Sequence, residues 1–297
     1  MNNKNNKRKY IISVFIILFL MFGYIYWVVI WEPKPDPVDD AGIRHIAAKQ
    51  LNKDPNEFTD EDFAQITEFD LSEYRIWPRN PLKSISDIKL LEKFTNLHTL
   101  NLAGLKRPQK ATPKWMTIHA KLRLYDLSKR SFIDLRPIRK LYKLENLNLS
   151  TSQVVNIKPI KRLKNLRHLN LQATQVSDLK PMKGLKNLKT LNLKFANVTN
   201  LQALKELNNL QSLNLQDTQV SDIKPLSGLI NLQELCIRTT KISDIDPLRG
   251  LTNLQNLDIK SIKVSNIEPL KELKNLKKLD IGCSPVSSLE SSKSFRT

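Results

Sequence analysis

Leucine recurs on a 22-residue spacing over most of this 297-residue chain, and that period limits its fold more than any other feature. With Leu163 as position 1, leucine returns at Leu166, Leu169 and Leu171. Thr174, Val176, Leu179, Pro181 and Met182 then stand at positions 12, 14, 17, 19 and 20. The pattern restarts at Leu185, Leu207, Leu229, Leu251 and Leu273, and reads backwards through Leu141 to His119. One such unit cannot bury its own leucines, but stacked copies can; periods of roughly 20–29 residues with this spacing mark leucine-rich-repeat coils. The expected fold is α/β: a right-handed leucine-rich-repeat solenoid with a concave parallel β-sheet and a helical N-terminal cap, preceded by one transmembrane helix.

Within a unit, positions 5 to 10 should form a strand. Side chains alternate along a strand, so leucines at 7 and 9 point inward while 6, 8 and 10 face the concave side. Positions 4, 14, 17 and 20 close the core. Proline at position 19 (Pro137, Pro159, Pro181, Pro225, Pro247, Pro269) fixes φ and lacks an N–H, which suits a turn or the start of a short helical segment. Position 12 carries Ser152, Thr174, Ala196, Thr218, Thr240 and Ile262. Its hydroxyls are expected to bond a neighbouring turn amide, with Ala196 and Ile262 interrupting that row.

The first coil needs a lid. Ile43, Ile46, Ala47 and Leu51 have helical spacing. Thr59 to Asp62 reads as a capping box that starts a second helix, with Phe58 and Phe63 as its hydrophobic staple. Phe63, Ile66, Phe69 and Leu71 lead into the first strand. The chain divides into a basic tail (1–9), a transmembrane helix (10–31), a Pro-rich spacer (32–40), the cap (41–71), irregular first repeats (72–118), regular repeats (119–290) and a tail (291–297). Two places break the period. About nine extra residues around Trp77 separate Leu71 from Ile85, and the repeat beginning at Phe94 runs to 25 residues and includes Trp115. Insertions in solenoids map to loops that often bind, so Trp77 and Trp115 are candidate loop anchors, and equally candidates for covering the core.

Residues 10–31 carry no charge, and a helix of 22 residues at ~1.5 Å each spans about 33 Å, enough for a ~30 Å hydrocarbon core. Tyr24, Tyr26, Trp27 and Trp31 gather at the far end, at headgroup level. The stretch is longer than a signal-peptide core and no small-residue cleavage pattern follows it, which favours an uncleaved anchor. Lys4, Lys7, Arg8 and Lys9 precede it, so the tail is expected in the cytoplasm and the repeats outside it, periplasmic or on the cell surface. The spacer's alternating prolines favour extended polyproline geometry.

The net charge of +19 is uneven: +4 in the tail, −7 over residues 32–71 and +22 over 72–297. Lysines recur on a flank and on the convex side, at position 18 (Lys158, Lys180, Lys224) and position 21 (Lys161, Lys183, Lys205). Such ladders suit an anionic lipid or cell-wall polymer. Nucleic acid fits the charge but not export. Cys236 and Cys283 fall two strands apart, about 10 Å by strand spacing, beyond the ~7 Å a disulfide spans, so both are expected to be free thiols.

The cap, the phrase Thr95-Asn-Leu-His-Thr-Leu-Asn-Leu102 and the repeated Thr174-Gln-Val-Ser-Asp-Leu-Lys-Pro181 together resemble internalin-like bacterial leucine-rich-repeat proteins over residues 41 to 290. The resemblance implies this fold, this type of cap and a concave face that binds proteins.

No catalytic pattern accompanies it. The histidines are scattered, and zinc spacings, a phosphate loop and a nucleophile elbow are all missing. His168 and Cys236 would lie three strands apart, about 14 Å, too far for a nucleophile and its base. The chain reads as non-enzymatic, without cofactor or metal. Its expected protein-binding residues are the outward positions of the concave strands: His168, Asn170, Gln172, Thr190, Asn192, Lys194, Ser212, Asn214 and Gln216, followed by Glu234, Arg238, Asp258 and Lys260, whose charges would fix the register of a partner.

Overall fold

The structure, a computed structural model, describes residues 40–72, 88–104 and 133–282. The anchor, the spacer up to residue 39, Trp77, Trp115, Cys283 and the tail 291–297 lie outside the described residues. No helix among the described residues is long and apolar enough to cross a membrane.

The chain enters through helix α1, Asp40–Gln50. Its apolar stripe buries Ile43, Ala47 and Ala48 completely, with Ile46 and Leu51 packed alongside. The segment after it forms a five-residue 3₁₀ turn, Glu61–Gln65, where the sequence predicts a second helix. There is no room for a longer one, since the chain must already be extended at Ile66 to enter the first strand at Glu68. One half of the expected capping box and the hydrophobic staple form even so. The Thr59 amide donates to Asp62 Oδ2 at 2.8 Å, and the Phe58 and Phe63 rings meet edge-on with centroids 4.8 Å apart. Asp62 is only 2 % exposed, and Lys53 donates to its carboxylate. That hydrogen bond is the main cause that holds the Asp62 carboxyl below its ordinary value, with the Thr59 amide next.

Nine parallel strands follow in chain order: β1 Glu68–Asp70, β2 Thr99–Asn101, β3 Asn146–Asn148, β4 His168–Asn170, β5 Thr190–Asn192, β6 Ser212–Asn214, β7 Glu234–Cys236, β8 Asn256–Asp258 and β9 Lys278–Asp280. Each occupies positions 6 to 8 and pairs in register, as in Leu169↔Leu191 and Leu191↔Leu213. Positions 1, 4, 7, 9, 14, 17 and 20 are buried; in one coil these are Leu185, Leu188, Leu191, Leu193, Val198, Leu201 and Leu204, none more than 2 % exposed. At about 1.5–3 kcal/mol per buried side chain, this column of apolar residues supplies the main drive for stacking. A 3₁₀ turn returns the chain on the convex side of each coil, for example Lys158–Arg162, Lys180–Met182 and Lys224–Leu226, with proline at its N-terminal end as expected.

Three rows of Asn and Asp side chains run through these coils. At position 8 the side-chain oxygen accepts the amide of position 10, as Asn170 does from Gln172 at 3.0 Å and Asp258 from Lys260 at 3.0 Å. This turn ends the strand after three residues instead of the expected six. At position 16 the oxygen accepts the first amide of the 3₁₀ turn, as in Asp178 from Lys180 at 2.9 Å. At position 3 the Nδ2 group donates to a carbonyl of the preceding coil: Asn187 to Lys164 and Asn209 to Lys186, at 2.9 and 2.8 Å. Position 11 is left-handed throughout, at Thr151, Ala173, Phe195, Asp217, Thr239 and Ser261, with φ between 52° and 59°. None of the six is glycine, so each strand is followed by a backbone shape that L-residues pay to adopt.

One expectation needs correcting. The position-12 hydroxyls donate to a carbonyl three residues back instead of accepting a turn amide; Thr174 Oγ1 reaches Leu171 O at 2.7 Å, and Ser152, Thr218 and Thr240 do likewise. Facing the core at less than 9 % exposure, a hydroxyl must give its proton to an oxygen within reach, here a carbonyl that in Thr174, Ser152 and Thr218 also accepts the residue's own amide. Leu100 of β2 pairs with Leu147 of β3, and residues 105–132, which hold most of the repeat expected to start at His119, lie outside the described residues. That repeat has Tyr125 where its neighbours have the inward leucine of position 7. Phe69 pairs with Leu100 across 31 residues, one period plus the nine extra residues expected there.

Candidate functional site: the concave sheet face

The outward side chains of β1 to β6 line one groove of about 750 Å³, from Gln50 and Glu68 at the cap to Asn214. Among the residues named from sequence, the structure brings His168, Asn170, Thr190, Asn192, Ser212 and Asn214 together there. Gln172, Lys194 and Gln216 are half-buried at the rim, where their own backbone amides serve the position-8 turns. Glu234 and Asp258 lie on β7 and β8, Arg238 and Lys260 just after them, and none of the four lines the groove.

Gln50, Glu68, Asp70, Thr99 and Asn101 line the groove without having been named from sequence. The signal for Thr99 and Asn101 was present, since Thr99-Leu-Asn101 repeats the Thr190-Leu-Asn192 phrase. Glu68 and Asp70 flank Phe69, which the sequence places in the first strand, but lie before the regular repeats whose outward positions were read, and Gln50 comes from α1, which no repeat pattern reaches.

The groove floor is amide and hydroxyl, tied across strands at position 6. Asn146 Nδ2 donates to Thr99 Oγ1 at 3.1 Å, and His168 Nδ1 lies 2.9 Å from Thr190 Oγ1. Farther along, Glu234 accepts from Ser212 at 2.9 Å and from Asn256 at 3.2 Å. No ion pair joins Glu234, Arg238, Asp258 and Lys260 to one another among the described residues; the pairing expected of their charges is with a partner.

At position 8 the turn consumes only the oxygen. Asn192 Nδ2 donates to Gln172, and Asn101 Nδ2 to Asp70 and Ser72. The Nδ2 groups of Asn148, Asn170 and Asn214 have no partner among the described residues. The cap end is acidic. Burial pushes the Asp70 carboxyl up, but hydrogen bonds from Ser72 and Asn101 outweigh it and hold it below its ordinary value. The groove thus offers amide donors along its middle and carboxylates at one end.

Cys236 is a free thiol in the position-8 row, with Sγ 3.7 Å from Asp258 Oδ2. Burial is the main reason its thiol is pushed up, so it is a poor nucleophile. Three strand spacings separate β4, which carries His168, from β7, which carries Cys236. Among the described residues no group of three His, Cys, Asp or Glu side chains is placed to hold a metal ion. On the opposite side, Lys158, Lys161, Lys180, Lys183, Lys205 and Lys224 are all exposed on or beside the 3₁₀ turns, and of these only Lys183 has an ion-pair partner among the described residues, Glu206 at 3.8 Å.

A family model described as Leucine Rich repeats (2 copies) matches residues 164–207 and 208–250. No curated protein matches the chain. Among solved structures, an internalin (inlF) from Listeria monocytogenes is 25% identical over 87% of this chain and 75% of its own, with a TM-score of 0.63. Internalin C2 from the same species is 22% identical over 89% of this chain and 95% of its own, with a TM-score of 0.59. The plant peptide hormone receptor RGFR1, solved in complex with RGF2, is 17% identical over 66% of this chain and 30% of its own, with a TM-score of 0.50. Residues 164–250 match leucine-rich repeats, and the chain has a leucine-rich-repeat fold similar in structure to Listeria internalins over most of its length.

Proposed function

We propose that this chain is a non-enzymatic protein-binding module, held outside the cytoplasm by a single membrane span over residues 10–31, and that the concave face of β1 to β6 takes the partner. The observation that carries this is the row of Asn148, Asn170 and Asn214, whose oxygens build the coil while their Nδ2 donors stay free over a groove of about 750 Å³. These half-buried donors face the open groove, and a protein laid along it would replace water on them with backbone carbonyls. Glu68 and Asp70 would set its direction by receiving a basic end. The plant receptor's complex with RGF2 supports a leucine-rich-repeat surface as a docking face.

A photo-crosslinking residue placed at Gln172 is expected to capture a discrete partner in intact cells, while one at Lys183 on the convex side does not. The pair Asn170→Asp and Asn214→Asp keeps both turn oxygens and replaces two donors with carboxylates, so capture should be lost without loss of folded protein. Equal capture from both faces, or capture that survives the double substitution, would refute the groove. Protease added to intact spheroplasts should digest the repeats; protection of the bulk of the chain would refute export.

A second reading rests on the exposed lysines: an envelope-associated structural protein that leans on anionic lipid or cell-wall polymer through its lysine ladders. Reversing charge at Lys158, Lys180 and Lys224 should abolish salt-sensitive binding under this reading and leave concave capture intact.

A further inference from the structure

The 3₁₀ turns stack along the convex side, and positions 18 and 21 carry charge in most of them. Toward the C-terminus each turn neutralises itself. In Asp246–Leu248 and the arginine after it, Arg249 reaches Asp246 at 3.2 Å; in Glu268–Glu272, Lys271 reaches Glu268 at 2.8 Å. In Arg136–Lys140, Lys158–Arg162 and Lys180–Met182 the same two positions are both cationic: Arg136 and Arg139, Lys158 and Lys161, Lys180 and Lys183. Like charges three apart on a turn repel, and here three such turns lie on one another. Arg139, Lys158, Lys161, Arg162 and Lys180 are exposed and have no ion-pair partner among the described residues. The imbalance is local. Residues 133–190 hold thirteen basic and three acidic side chains, net +10, whereas residues 191–282 hold twelve and ten, net +2.

We propose that the convex turns between Arg136 and Lys183 bind a linear polyol-phosphate polymer, a chain of phosphodiesters without bases, and that the turns after Lys183 do not. This narrows the reading of the lysine ladders as an envelope-binding surface and rests on it; the concave face plays no part. A pair of cations repeated once per coil presents charge at regular intervals to a ligand whose anions also repeat, and each neutralised phosphate releases counterions. A flat anionic bilayer fits less well. Toward the cap the same row is neutralised, with Lys140 paired to Glu92 at 3.7 Å and Lys93 to Asp60, so a plane laid on it would meet paired charges there. A thread can lie on three turns alone. Surface binding to lipid also draws on inserted apolar side chains, and Tyr142 is the only exposed large one among the described residues of this stretch.

The test uses the full-length chain in neutral detergent, titrated with fluorescent poly(glycerol phosphate) at two salt concentrations. The variant Lys158→Glu with Lys180→Glu gives these turns the acid-then-base order of the C-terminal ones, so the coils gain a pairing already tolerated in this fold. Its affinity should fall about tenfold or more, with a shallower salt dependence. Lys205→Glu with Lys224→Glu makes the same charge change on the next two turns and should bind within about twofold of the parent. Equal losses in both variants would leave a general lysine ladder and overturn the localisation; no loss in either would overturn both. Glycerol phosphate binding as tightly as the polymer would reduce the site to one for small anions. Phosphatidylglycerol vesicles, or single-stranded DNA of equal charge, binding more tightly than the polymer would overturn the choice of ligand.

Discussion

The coils of residues 133–190 and those of 191–282 keep one register, one pattern of buried positions and the same Asn and Asp turns, yet their net charges are +10 and +2. The frame does not need that difference. It is set by leucines facing inward and by short side chains that satisfy backbone groups, and the exposed positions 18 and 21 vary around it. Asp246 with Arg249 shows what the frame does when nothing else constrains those positions; Lys158 with Lys161 departs from it. Function in such a solenoid is to be sought where the composition departs from what the coil requires.

The largest effect should be blind to the comparison. Leu169→Ala in the basic half and Leu257→Ala in the neutral half each empty a core site only 2 % exposed, and each should cost about 2–5 kcal/mol in denaturant unfolding. A loss confined to one half would break the claim of a common frame. A smaller effect sharpens it. Asn187→Ala and Asn253→Ala each remove a 2.9 Å bond to the preceding coil and should each cost about 1 kcal/mol, since both carbonyls remain near water. If only Asn253→Ala cost stability, charge repulsion rather than stapling would govern the basic half.

Much of this frame can be read from the sequence, because burial follows side-chain size and the period places it. The leucine positions, the prolines opening the 3₁₀ turns, the N-terminal helix and the nine extra residues before β2 all follow from that logic. What escaped it depends on hydrogen bonds or on backbone shape. Asn170 looks like a binding residue in a pattern of outward side chains, yet half of its function is to end its own strand. The stapling asparagines of position 3 are exposed and polar, so nothing in hydropathy separates Asn187 from a solvated side chain. The left-handed residues include Thr239 and Phe195, which no propensity rule would place there. At the groove, the amides and hydroxyls of β4 to β6 were legible, whereas its acidic end was not, because Glu68 and Asp70 lie before the regular repeats and belong to the cap's final segment.

The central claim is that position 8 divides its work, with the oxygen building the coil and the nitrogen left for a partner. Thermal unfolding of Asn170→Asp beside Asn170→Ala tests it without any ligand, because aspartate already fills the same role at Asp258. The account predicts that the aspartate variant melts with the parent and that the alanine variant, losing the bond from the Gln172 amide, melts about 2–4 °C lower. Equal shifts in both variants, or none in either, would contradict it.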